Sequence, residues 1–195
     1  MPGRLILASA SLRRIDLLSQ IGIPPDKTIA AEINEIPSPG ELPRQVAARL
    51  ALLKSRHVAK AFPNDFVLAA DTVVASGRRI LDQVKTATEA EAHLLLLSGR
   101  RHRVYSGVAV SPPNGPVCTR VVMTQVAFKR LHKSEIDTYL RSGEWRGMAG
   151  AYAIQGLAGG FVKRINGSYS NVVGLPLCET VALLKGAGLR EKIIK

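Results

Sequence analysis

Residues 101–129 read "RHRVYSGVAVS", then "PPNGP", then "VCTRVVMTQVAFK". The two outer runs are rich in valine and other β-branched or aromatic residues, which fit a pleated sheet surface. Between them stand proline, asparagine and glycine, the residues that punctuate turns. The stretch therefore predicts a β-hairpin. Strands joined by so short a loop run in opposite directions, whereas a parallel pair needs a longer crossover, usually a helix. Helix and strand patterns alternate through the rest of the chain, so the sheet that the hairpin joins is mixed. The fold class follows: α/β, a single domain over residues 1–195, with a mixed, partly antiparallel sheet flanked by helices.

Upstream of the hairpin, "RLILAS" (4–9) reads as a short buried strand. "SLRRIDLLSQIG" (11–22) reads as a helix with Leu12, Ile15, Leu18 and Ile21 at helical spacing, stopped by Gly22 and two prolines. "TIAAEINEI" (28–36) predicts a second strand. The longest helix is expected over 41–62, with an apolar stripe of Leu42, Val46, Leu50, Leu53 and Val58. "FVLAADTVVAS" (66–76) is a strand interrupted by one acid, Asp71. A capping box from Thr88 to Glu91 opens a helix that ends at Gly99. Downstream, a helix is expected over 134–143, a strand running into an Asn-Gly turn over 161–170, and a closing helix over 175–188.

Hydrophobic residues make up 46% and charged residues 22%, an ordinary globular balance. No run of about 18 apolar residues occurs, which argues against a membrane helix, and the N-terminal apolar run is too short for a secretory signal. Cys118 and Cys178 form neither a metal-ligand pattern nor a disulfide framework, so a reducing cytoplasm is expected. The net charge of +12 favours anionic partners. The basic residues are spread along the chain and aromatics are only 5%, so nucleotides are expected as partners rather than nucleic acid.

Four groups of residues can carry chemistry. Ser9, Ser11, Arg13 and Arg14 lie where the first strand turns into the first helix. Helix starts favour acids, because their free N–H groups carry partial positive charge. Two arginines there point either to a phosphate clamped at the helix terminus or to a serine cap followed by solvated charges. Asp71 follows a run of apolar and small residues, where a carboxylate is costly unless paired, metal-bound or functional. Glu35, Arg49 and Lys54 form the third group. Arg49 and Lys54 diverge by about 140° around their helix, so they are expected on different faces; taken alone both read as surface charges, with an inward reach of Lys54 along apolar surface as the alternative. The fourth is the glycine-rich stretch 150–177, where Gln155 offers an amide that can both donate and accept. His57, His93, His102 and His132 are scattered and form no metal pair.

With these residues in view, the chain resembles the Maf family, once described as septum-formation inhibitors. The resemblance rests on "LASASLRR", "RLALLK", "AADTVV", "LSGRRHRVYSGVAV", and "GAYAIQG" through "GSYSNVVGLPL", in order over nearly the whole chain. It implies a fold similar to inosine triphosphate pyrophosphatases. It also implies hydrolysis of nucleoside triphosphates to a monophosphate and pyrophosphate with a divalent cation (Mg, Mn or Co). "AADTVV" with "AYAIQG" resembles the branch that acts on dTTP and UTP; the branch acting on 7-methylguanosine triphosphate usually carries Gln where this chain has Thr72.

By the same resemblance, Asp71 matches the family's proton acceptor. Arg13, Thr72 and Gln155 match positions linked to substrate choice, and Ser9, Arg14, Glu35 and Lys54 match other active-site positions, with Glu35 or Asp71 holding part of the metal. Two residues depart from the family pattern: Gln83 and Met148 stand where lysines are usual, with Arg79, Lys85 and Arg146 close in sequence as substitutes. The departures also fit an alternative function, a low-turnover nucleotide-binding regulator of cell division or stress response. A homodimer is expected only from the commonness of twofold assemblies.

Overall fold

The computed structural model describes residues 3–189; residues 1–2 and 190–195 of the expected domain lie outside the described residues. The chain runs β1 (Leu5–Leu7), α1 (Leu12–Gln20), β2 (Lys27–Thr28), α2 (Pro43–Ala59), β3 (Phe66–Ser76), β4 (Arg79–Leu81), α3 (Ala87–Leu97), β5 (Arg101–Ser111), β6 (Cys118–Phe128) and α4 (Lys133–Ser142). A 3-10 turn (Leu157–Phe161), β7 (Val162–Asn166), α5 (Tyr169–Val173) and α6 (Leu177–Gly186) complete it. The strands form one mixed sheet in the order β2-β1-β3-β5-β6-β7, with β4 also paired to β3. The expected hairpin forms: β5 and β6 pair from Arg101↔Ala127 to Val110↔Cys118. β1 is parallel to both neighbours, and α1 supplies the crossover to β2.

One irregularity of this sheet positions the site. β1 pairs with β3 only over Phe66–Leu68, and β4 pairs only with Val74–Ser76 on that same side. Between them Ala69–Val73 has no strand neighbour on that side, although β5 covers its other edge throughout. The chain leaves β1 at Ala8, whose N–H still reaches the Leu68 carbonyl at 2.7 Å. Asp71 stands in the middle of this notch.

The larger core packs on one sheet face, where Leu5, Leu7, Leu68, Val74, Val104 and Val108 meet α1, α3, α4 and α6. The other face is covered by α2, which buries Val46, Ala47, Leu50 and Val58. At Gly107 the helix backbone lies directly on the sheet: a Cβ there would be driven into the Ala47 carbonyl.

Several expectations need correction. Residues 29–36 form no strand, because β1 turns away after Leu7 and leaves only the Ile29 N–H to bond to it. α2 begins at Pro43 and ends at Ala59, shorter than the expected 41–62, and Leu42 and Leu53 are exposed. The α3 cap is Thr86 with Glu89 rather than Thr88 with Glu91: Glu89 N–H donates to Thr86 Oγ1 at 3.2 Å and Thr86 N–H to Glu89 Oε2 at 3.1 Å. Both pairs have the same spacing, and the earlier one gains extra helical residues. Among the described residues no helix is long and apolar enough to cross a membrane.

His102 belongs to the core. It meets Tyr152 Oη through Nε2 at 2.8 Å, and its ring packs edge-on against Phe128 and Tyr152. Burial pushes its pKa from 6.5 down to about 4. The unfolded chain then takes up this proton near pH 6.5 while the folded chain resists until about pH 4, so the folded state loses stability as pH falls through that window. The full loss is about 3 kcal/mol, since each tenfold change in proton affinity is worth about 1.4 kcal/mol. Urea unfolding between pH 7.5 and pH 5 should show His102→Gln losing about 2 kcal/mol less than the parent over that interval. Equal losses in both proteins would remove His102 as the cause.

Candidate active site

Two polar networks meet at the notch in β3. The first begins at Ser9, just past β1. Its Oγ accepts from Ser11 N–H at 3.2 Å and from Arg14 Nη1 at 2.9 Å. Arg14 Nε donates to the Gly174 carbonyl at 2.9 Å, and Nη2 to Thr72 Oγ1 at 3.2 Å. Thr72 pairs with Ser106 at 3.0 Å, and Ser106 Oγ donates to the Asn171 carbonyl at 3.2 Å. Thr72 Oγ1 accepts from Arg14 and also donates to the Gly174 carbonyl at 3.3 Å, so Arg14 and Thr72 share that carbonyl. Ser11 is the N-cap residue of α1 by position, but its side chain accepts no cap bond, and the first turn holds no acid.

Every hydrogen-bond acceptor of Arg14 is a neutral oxygen. Burial pulls its pKa down, opposed by the field of Asp71, while Arg13 adds to the lowering. The guanidinium is a cation held in place with no carboxylate on it. Arg13 is in the same condition: burial lowers its pKa, and its Nε is buried without a partner. A bound anion relieves both.

The second network lies on the α2 side. Lys54 Nζ sits between Asp71 Oδ1 at 2.6 Å and Glu35 Oε1 at 2.8 Å. The Lys54 and Asp71 side chains are 11% and 9% exposed, whereas Glu35 at 53% stays open to solvent. Asp71 and Thr72 are consecutive, so the strand pleat sends them to opposite faces. In the middle of a sheet that would separate the two networks. At an unpaired edge both residues stay on the same open margin of the strand.

Sequence reading missed the device that holds Glu35. Arg49 and Lys54 do diverge around α2, yet both grip the same irregular segment. Arg49 forms a two-pronged pair with Glu41, at 2.7 and 2.8 Å, and Nη2 also reaches the Ile36 carbonyl at 3.2 Å. Glu41 in turn accepts the Ser38 N–H at 2.9 Å. Arg49 is therefore a clamp on residues 36–41 rather than a solvated charge. The signal available in sequence was only its position one helix away from a stretch without periodicity. Ser106 and Gly174 were likewise unreadable, since each acts through contacts distant in sequence.

The departures Gln83 and Met148 do come together. Gln83 pairs across an isolated bridge with Ala149, and Arg13 Nη1 contacts the Met148 sulfur. Gly150 and Ala151, both at positive φ, curl the chain here. Of the expected substitutes, Arg146 stacks over the Trp145 ring, 4.8 Å from its centroid, and the Lys85 backbone N–H caps onto Glu89 at 2.9 Å. Gln155 is exposed ahead of the 3-10 turn, and among the described residues no hydrogen bond joins it to either network.

The carboxylates suit a cation that also binds phosphate. Among the described residues no three His, Cys, Asp or Glu side chains converge, so a transition-metal cage is absent. Asp71 and Glu35 nonetheless converge on one point, which the Lys54 ammonium occupies. A Mg²⁺-type ion is held by one or two carboxylates plus substrate phosphates and water, and this donor set fits it.

The Maf-like protein family model matches residues 4–187. The chain belongs to the Maf family. Curated relatives include the dTTP/UTP pyrophosphatase of Caulobacter vibrioides, 56% identical over 95% of this chain and 96% of that one. The dTTP/UTP pyrophosphatase of Mesorhizobium japonicum is 54% identical over 96% and 93%. Among solved structures, this Maf chain is similar to a HAM1 protein from Coxiella burnetii at 17% identity, over 67% of this chain and 75% of that one, with a TM-score of 0.46.

Proposed function

We propose that this Maf protein hydrolyses dTTP, UTP or modified pyrimidine nucleoside triphosphates to the monophosphate and pyrophosphate. The observation that carries the reading is the pairing of Asp71 and Thr72 at an open strand edge, which joins a carboxylate site to two arginines lacking a counter-ion. Relatives more than half identical to it and named dTTP/UTP pyrophosphatase support the choice of nucleotide. Thr72 and Gln155 are the residues we assign to base choice.

In the proposed reaction Arg13, Arg14, Ser9 and the start of α1 hold the phosphate chain. Asp71 takes a proton from the attacking water. The water oxygen bonds to the α-phosphorus as the bond from that phosphorus to the bridging oxygen breaks, and pyrophosphate leaves with the electron pair. Lys54, 2.6 Å from Oδ1, holds the Asp71 carboxylate in position, and the arginines balance charge on the leaving group. A divalent cation held by Glu35, the solvent-open carboxylate beside Lys54, would supply Lewis-acid stabilisation of the phosphate oxygens.

Pyrophosphate release from a panel of nucleoside triphosphates, with Mg²⁺, Mn²⁺ or Co²⁺, tests this. Turnover of dTTP and UTP well above 7-methylguanosine triphosphate is expected. Nucleotide binding without turnover of any member would replace the enzyme by a regulator.

Two further outcomes follow from the geometry. Met148 touches Arg13 and lies next to the Gln83 bridge, so lysines at both places would stand beside the phosphates. Each charge-assisted hydrogen bond is worth about 1.5–3 kcal/mol. Gln83→Lys with Met148→Lys should therefore raise kcat/KM by about 10²-fold. A double variant no faster than the parent would mean the chain compensates elsewhere. Arg49→Ala should loosen residues 36–41 and thereby Glu35. The metal concentration for half-maximal rate is expected to rise about tenfold, or about 1.4 kcal/mol, with kcat at saturating metal little changed. Faster hydrogen exchange confined to residues 33–41 is the structural readout.

A further inference from the structure

Away from the notch, α2 leaves part of its sheet face open. Gly107 in β5 faces α2, and side chains alternate along a strand, so Tyr105, Arg103 and Arg101 point to the same side. Their cross-strand partners share it. Arg101 is level with Ala127 and, through it, with Arg164 of β7; Arg103 is level with Gln125; Tyr105 is level with Met123. Arg101, Arg103 and Arg164 are exposed, as is Met123 at 47%. None of the three arginines has an ion-pair partner among the described residues. Nor can one come from nearby sequence: no Asp or Glu occurs from Ser98 to Ser134, or in β7. Glu41, at the rim beside Thr119, is held by Arg49.

We propose that this face binds the phosphodiester backbone of single-stranded nucleic acid without sequence preference. Strand geometry spaces the backbone positions of the three arginines by about 7 Å along β5 and about 10 Å across to β7. That makes a flat cationic array, with Met123 and half-buried Tyr105 in the row beside it. A duplex is a poorer fit, because the three arginines stand on the strands of the sheet itself rather than on an element that enters a groove. An anionic membrane surface calls for a broad apolar face as well as charge, and Met123 alone does not supply one. A second copy of the chain would bring like charges together. The sequence expectation against nucleic acid rested on charge scattered along the chain and on aromatics of only 5%; the sheet gathers three of those charges onto one side, as such a footprint requires, and the sparse aromatics make the phosphates rather than the bases the bound groups.

Fluorescence anisotropy with a labelled oligothymidylate and the full chain tests the proposal. Three phosphate contacts predict a slope of log Kobs against log salt of about −2, at about −0.7 per contact. Arg101→Gln, Arg103→Gln, Arg164→Gln together should weaken binding at least about tenfold at low salt and bring the slope near zero, with pyrophosphate release unchanged. A control with equal charge loss, Arg56→Gln, Lys60→Gln, Lys185→Gln, should keep most of the binding. Displacement by UTP would move the binding to the notch and overturn the proposal. So would an equal loss in the control, or equally tight, triple-variant-sensitive binding to anionic vesicles.

Discussion

Asp71→Asn should lower kcat by about 10³-fold while leaving nucleotide binding largely intact. A positioned general base contributes about 10²- to 10⁴-fold, and an amide cannot accept the proton. The binding side is spared because the Arg14 network runs through Ser9, Thr72 and Gly174 and makes no hydrogen bond to Asp71. The fold is spared too, since Lys54 keeps Glu35 at 2.8 Å. The measurement is pre-steady-state pyrophosphate release alongside equilibrium binding of the same nucleotide. A variant that keeps a tenth or more of the parental rate would transfer the base to another group, with Glu35 the first to examine. One that loses binding and turnover together would mean the carboxylate serves mainly to hold the nucleotide.

Gly107→Ala is expected to cost about 3 kcal/mol of stability. Overpacking usually costs about 1–3 kcal/mol, and this site stands at the upper end. The added carbon meets helix backbone, the Ala47 carbonyl, rather than the yielding end of a side chain. For a chain of this size the melting temperature should fall by about 6–12 °C. Activity should fall as well in the surviving folded fraction, because Gly107 is level with Asp71 on β3 and any outward shift of α2 carries Lys54 with it. Thermal unfolding and the KM of the variant decide the matter. A melting point within a degree or two of the parent would mean α2 can lift at no cost, and the seating of Lys54 would then need another explanation.

The sheet type was legible because its signal is local. Residues 101–129 carry their own turn, and β5 and β6 pair as their sequence requires. The helices with clear stops were legible for the same reason: Gly143, at φ 74, ends α4 where the glycine stands. Residues 28–36 were misread because strand propensity is only half of a strand. Their would-be partner β1 is three residues long, and no property of the 28–36 segment reports that. The capping box slipped by two residues because two copies of one spacing overlap there.

The candidate site divides along the same line. Sequence alone determined which chemical groups were available: two arginines on an acid-free helix start, one acid inside a strand, an amide in a glycine-rich stretch. Each of the charged groups showed against its own neighbours, as a charge where the local environment disfavours it. What only the tertiary structure decided was how the groups combine. Arg49 became a clamp, Met148 became a neighbour of Arg13 beside the bridge from Gln83 to Ala149, and three scattered arginines became one surface. Above all, Asp71 and Thr72 point to opposite faces and still share one open strand edge, because β1 ends after Leu7 and β4 joins β3 only from Val74 onward. A gap in strand pairing is a property of three segments at once, set by where their backbones run out of partners, and no single stretch of sequence encodes it.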